Sequence, residues 1–120
     1  MWLTANKLEY FIVKEIILDA DGWKSQEDFF IALLPKLGAP DWHGHNLDAL
    51  WDSLVAGQIN STKSPYFITI INADKIPDIL VAYLVKFEKL VIGMQAEGAD
   101  IQVKFVPLLR PVVQSSKKQS

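Results

Sequence analysis

Asp41-Trp-His-Gly-His-Asn-Leu-Asp-Ala-Leu-Trp-Asp-Ser-Leu54 is the stretch on which the reading of this sequence turns. Asn46 is a good N-cap, because its side-chain oxygen can accept an amide that the first helical turn leaves unbonded. Leu47, Leu50, Trp51 and Leu54 then repeat at helical spacing and mark one apolar face of a short helix. Ala39–His45, with Pro40 and Gly44, reads as the loop that leads into it. Asp48 and Asp52 stand four apart on that helix, so their carboxylates share a face. An acid in the first turn favours the positive end of the helix dipole, which accounts for Asp48. Asp52 lies toward the opposite end. Its helical neighbours are Asp48, Ala49, Val55 and Ala56, none of them cationic. Like charges at this spacing cost a few tenths of a kcal/mol.

The surroundings sharpen the point. No Lys or Arg occurs between Lys36 and Lys63, while Asp41, Asp48 and Asp52 fall inside that gap. The gap therefore carries −3 in a chain whose net charge is −2. A run of charge is most often a solvated face, but this one also holds Trp42, Trp51, His43 and His45. Aromatic residues beside unpaired acids look more like a contact surface. Two other chemistries are open to the same residues. His43-x-His45 with the nearby aspartates has the ligand types of a metal site, and His with Asp could form a general acid–base pair. A single H-x-H is a weak metal signal, and no nucleophile, phosphate loop or catalytic signature accompanies it. Neither reading accounts for the two tryptophans. A partner that supplies positive charge does, so we expect no catalytic residue, metal or cofactor.

Outward from this stretch, the chain alternates strands and helices. Tyr10–Leu18 is rich in Phe, Ile and Val and predicts a buried strand over at least Glu15–Leu18, followed by turn residues Asp19-Ala-Asp-Gly22. Ser25 and Asp28 form a capping-box-like helix start, and Phe29, Phe30, Leu33, Leu34 and Leu37 continue at helical spacing to a stop at Gly38. Pro35 predicts a kink or an early end. Gly57–Pro65 reads as a loop, and Tyr66–Ile71 as a strand buried on both faces. Pro77 suits the first turn of a long helix whose core stripe is Leu80, Leu84, Phe87, Val91 and Met94, closed by Gly98. Ile101–Val106 is the last strand. The order predicts an α/β fold with parallel strands joined by crossovers.

Composition bounds the rest. At 120 residues and 13.5 kDa the chain suits one domain, burying roughly 65% of the surface that the unfolded chain exposes. We expect that domain over residues 1–113, with 1–14 as an N-terminal extension and a polar, flexible tail over 114–120. The absence of cysteine excludes a disulfide scaffold, a zinc ribbon and a thiol nucleophile, and makes the cytosol the default location. No apolar run approaches the ~20 residues of a membrane span, and a near-neutral chain is a poor general binder of nucleic acid.

The run Gly44-x-Asn-Leu-Asp-Ala-Leu-Trp-Asp52, together with Ala96-Glu-Gly-Ala-Asp-Ile101, resembles the barstar family of intracellular ribonuclease inhibitors. The similarity extends from the strand near Glu15 to the last strand near Val106. It implies a three-stranded parallel sheet packed with helices, and a binding surface over Trp42–Asp52. By that resemblance, Asp52 enters the ribonuclease active site in place of a substrate phosphate, and Asp48 pairs with further cationic groups at its edge. Gly44 permits close backbone approach, Asn46 fixes the helix that aims both acids, and Trp42 and His43 stand where the family has tyrosines. Trp51 falls at a family tryptophan and supports the surface. Gly93 replaces an acidic contact of the long helix, Ser53 a cysteine, and Gly57-Gln58 an aromatic. The expected function is stoichiometric, 1:1 inhibition of a cationic bacterial ribonuclease or toxin nuclease domain, with the chain as an immunity protein. The alternative is a barstar-like module whose partner is a different kind of protein.

Overall fold

A computed structural model describes residues 15–56 and 65–111. The expected N-terminal extension over 1–14, with the start of the apolar stretch at Tyr10, all of the loop Gly57–Pro65 but its last residue, and the tail over 114–120 lie outside the described residues. Three strands, β1 (Glu15–Asp19), β2 (Tyr66–Ile71) and β3 (Ile101–Val106), form one parallel sheet in the order β1-β2-β3. Between β1 and β2 come α1 (Gln26–Leu37), α2 (Leu47–Trp51) and a π-helical turn (Asp52–Ala56). A 3-10 turn (Ala73–Lys75) and α3 (Asp78–Ala96) join β2 to β3. The chain thus has the α/β architecture that its alternation of elements predicts.

Strand side chains alternate between two faces, and the burial follows that alternation. Ile16 and Leu18 pair in register with Ile68 and Ile70, and Ile70 pairs with Phe105; these five are buried. The other face is less completely covered. Phe67 and Ile71 are half-buried, and Ile17 is 50% exposed. The expectation that β2 is buried on both faces is met fully on one face alone. On the second, Thr69 is buried and its hydroxyl donates to the Glu15 carboxylate at 3.0 Å. A continuous apolar run suggests that both faces are covered but does not say what lies over the second.

The helices place their apolar stripes as their spacing dictates. Phe29, Phe30, Leu33, Leu34 and Leu37 of α1 are buried, as are Leu80, Leu84, Phe87, Val91 and Met94 of α3. At the start of α1 the Asp28 carboxylate accepts the Lys24 and Ser25 amides at 2.7 and 3.2 Å. Pro35 does not stop α1, which runs on to Leu37. The proline removes only the amide that would reach Ile31, and both residues lie on the exposed side, where water reaches that carbonyl. Gly38 then takes φ 68°, and the Gly38 and Ala39 amides bond the Pro35 and Leu34 carbonyls at 3.0 Å. This is a Schellman motif, and its left-handed residue favours glycine. Gly98 (φ 93°) ends α3 through the same pair of bonds, to Gln95 and Met94. Pro77 is the N-cap of α3, one position before the first turn.

Two contacts give testable energetics. Phe87 is fully buried and its ring lies 4.9 Å from that of Phe29, so Phe87→Ala should cost about 3–5 kcal/mol in chemical denaturation. At the end of β1 the Asn72 side chain donates to Asp19 at 2.8 Å and the Asp21 amide at 2.9 Å. The first and then the second of these hold the Asp19 carboxyl below its ordinary value of 3.8. A depressed folded-state pKa gives stability that is present above the unfolded value and lost as pH falls through the folded one. Stability of the wild type should therefore decline below pH 3.8 in part through Asp19, and Asp19→Asn should make that acid limb shallower in denaturation series.

Candidate functional site

The loop after α1 is shaped by local bonds. The His43 amide donates to the Pro40 carbonyl at 2.9 Å, which closes a turn with Asp41 and Trp42 at its tip. Both tip residues are exposed, and Trp42, at 73% accessible, leaves a large apolar surface in water. His43 turns the other way and is 5% exposed. Its Nδ1 lies 2.7 Å from the Gly44 carbonyl and its Nε2 2.9 Å from Ser53 Oγ. His45 points back to α1, with its ring stacked on Phe30 at 6.1 Å and Nδ1 2.8 Å from the Glu27 carboxylate. The two histidines therefore do not converge on a common point. Among the described residues no group of three or more His, Cys, Asp or Glu is placed to hold a metal ion.

Asn46 caps α2 as its residue type predicts: Oδ1 accepts the Ala49 amide at 2.7 Å. Leu50 and Leu54 are buried, and Leu47 and Trp51 pack half-buried against the core. Regular helix ends at Trp51, however, and the π-helical turn begins with Asp52. The sequence pattern predicts a single helical face through Leu54; the wider turn keeps Leu54 inside and also brings Ser53 in, at 2% exposure. Such insertions are common at functional positions. The Asp52 amide still bonds the Asp48 carbonyl, so the two aspartates stand one turn apart.

Both Asp48 and Asp52 are exposed, and so is Asp41. Among the described residues none of the three has an ion-pair partner. The Asp48 charge is felt by Tyr83 of α3: burial first, and then this carboxylate, hold the phenol above its ordinary value of 10.0. Trp51 reaches α3 at Gly93, where an added Cβ would come within 3.2 Å of the indole. Glycine there lets the indole lie against the helix backbone. Of the sequence-selected residues, the structure thus brings Trp42, Gly44, Asp48 and Asp52 to one loop–helix segment with Trp42, Asp48 and Asp52 open to solvent. His43 is inside, Asn46 is occupied by capping, and Trp51 is half-covered. Ser53, Glu27 and Phe30 had no local signal that ties them to the loop, because each meets it from a distance in sequence or from the buried side.

The family model described as Barstar (barnase inhibitor) matches residues 13–109. The chain belongs to the barstar family. No curated protein matches it. The matched range contains the sheet, helices α1 to α3 and the whole loop–helix segment, so the barstar assignment and the geometry concern the same part of the molecule. No helix among the described residues is long and apolar enough to cross a membrane.

Gly44 sets the closest tolerance in this barstar-family segment. A Cβ there would meet Asn46 Nδ2 at 2.9 Å and Ala49 Cβ at 3.1 Å. The Asn46 side chain cannot swing away without giving up its bond to the Ala49 amide. Gly44→Ala should therefore cost about 1–3 kcal/mol, with faster hydrogen exchange at Ala49 as the local sign.

Proposed function

We propose that this chain is a stoichiometric inhibitor of a cationic ribonuclease, or of the nuclease domain of a toxin, and acts in the cytoplasm as an immunity protein. The observation that carries this reading is the pair of exposed carboxylates, Asp48 and Asp52, one helical turn apart and without cationic partners among the described residues. A ribonuclease active site concentrates donors and positive charge where phosphate binds. A carboxylate held rigidly at that position uses donors already oriented for substrate, so little ordering is required of the enzyme. Asp52 is the residue assigned to the phosphate position and Asp48 to the cationic rim. Trp42 supplies apolar area beside them, and Gly44 lets the partner approach the backbone. Asn46 and Trp51 hold the surface from within the inhibitor.

The net charge of −2 is too small to steer the whole molecule strongly, but −3 is concentrated in the loop–helix stretch. Local concentration is what accelerates encounter with a basic cleft, and it is screened by salt. Occlusion requires no bond to form or break in the inhibitor, in keeping with a family whose description is that of an enzyme inhibitor.

The test is titration of a ribonuclease of the barnase class with the wild-type chain and with Asp52→Ala. Wild type should abolish RNA cleavage at a 1:1 ratio, with an association rate that falls as salt is raised. Asp52→Ala should weaken binding by about 2 kcal/mol or more, roughly 30-fold. Equal inhibition by both chains would move the binding surface elsewhere. Capture of a cationic protein without ribonuclease activity, lost in Asp52→Ala, would favour the alternative of a binding module with a different partner.

A further inference from the structure

The part of the loop–helix segment that faces inward is built around one hydrogen-bonded pair. His43 belongs to the loop and Ser53 to the π-helical turn, and their side chains meet at 2.9 Å in the interior. We infer that His43 and Ser53 form a clamp that positions the binding surface, tying the loop that carries Trp42 to the turn that carries Asp52, and that His43 acts through this bond instead of touching a partner. The clamp rests on the reading of Trp42–Asp52 as a binding surface, and its closing experiment separates the two.

The proton count supports the assignment. The Gly44 carbonyl has no hydrogen to give, so His43 Nδ1, 2.7 Å away, is the donor. In the neutral ring Nε2 is then an acceptor, and the Ser53 hydroxyl donates to it. The hydroxyl also lies 3.2 Å from the Leu50 carbonyl, a longer contact. A protonated ring would donate from Nε2 to Ser53 Oγ and turn the hydroxyl to Leu50, so the same heavy atoms stay joined in either state. Burial raises the stakes, since a polar atom cut off from water loses more when its partner is removed. The neighbours of the clamped atoms are the functional ones: Trp42 precedes His43, and Asp52 precedes Ser53. A hydrogen bond between the inner residues therefore fixes the distance between the outer ones. The two residues are also positions at which this chain departs from the family resemblance, and they depart together into a donor–acceptor pair.

Three readouts on the full chain test this. Nitrogen NMR of His43 in alkaline buffer should show the Nδ1–H tautomer, which is not the one favoured by free histidine. Ser53→Ala should raise amide exchange over Trp42–Asn46 while leaving the amides of β2 as protected as in wild type. Its affinity for a barnase-class ribonuclease should fall between about twofold and tenfold, the net effect of one hydrogen bond. Ser53→Cys keeps the side chain's size with a far weaker donor, and should behave like Ser53→Ala if bonding, and not lost packing, is the cause. An Nε2–H tautomer, or unchanged loop exchange in both variants, overturns the clamp. So does unchanged affinity for a ribonuclease that the wild type binds. A loosened loop in a chain whose wild type binds no ribonuclease sustains the clamp and sinks the inhibitor reading.

Discussion

The rings of Phe29 and Phe30, adjacent in α1 and both fully buried, connect the core of this molecule to its acidic loop. Phe29 packs on Trp23 at 5.8 Å and on Phe87 of α3 at 4.9 Å, which joins the two long helices. Phe30 lies 5.0 Å from Phe29, meets Tyr83 edge-on at 6.2 Å and carries His45 stacked on its outer side. Aromatic pairs at these separations contribute about 0.5–1.5 kcal/mol each beyond their area. Their directional preference matters as much as that energy here. Through Phe30, the position of the loop is set by the same side chains that set the helix packing.

On this support rests a segment that departs from regular geometry where its function is proposed. Asn46 spends its side chain on the Ala49 amide, His43 on Gly44 and Ser53, and His45 on Glu27. Every polar side chain of the loop that faces the protein is thus engaged. The aspartates that face away have no ion-pair partner among the described residues. Placing Asp48 and Asp52 one turn apart without a compensating cation is unfavourable in the free chain, by an amount of tenths of a kcal/mol that folding tolerates easily. The same arrangement becomes favourable when a partner brings the missing charge. Local consistency is given up at the surface and kept beneath it, a pattern expected of binding sites.

Gly93 illustrates how such a site limits its neighbours. The Trp51 indole occupies the space over the helix at that residue, so a side chain there would have to displace it. The acidic residue that the resemblance implies at this position would meet the Trp51 indole here. The charge of Asp48 on the short helix is felt on α3 by Tyr83.

The sequence by itself determined the elements, the parallel α/β class and the acidic stretch. Helical stripes such as Leu80–Met94, caps such as Asn46 and left-handed stops such as Gly38 and Gly98 act within a few residues, and their physics is local. Tertiary structure decided what those rules cannot reach. Pro35 remains helical because the Ile31 carbonyl that it leaves unbonded lies on the exposed side, and one face of the sheet, where Ile17 is 50% exposed, is less completely covered than the other. The π-helical turn brings Ser53 inward to meet a histidine ten residues earlier, and Glu27, eighteen residues before His45, holds the loop from outside. Neither pairing has a signature in spacing or composition. Each depends on how far apart two separately formed elements come to rest, and that distance is set by the packing of the core, in which Phe30 and Leu54 take part.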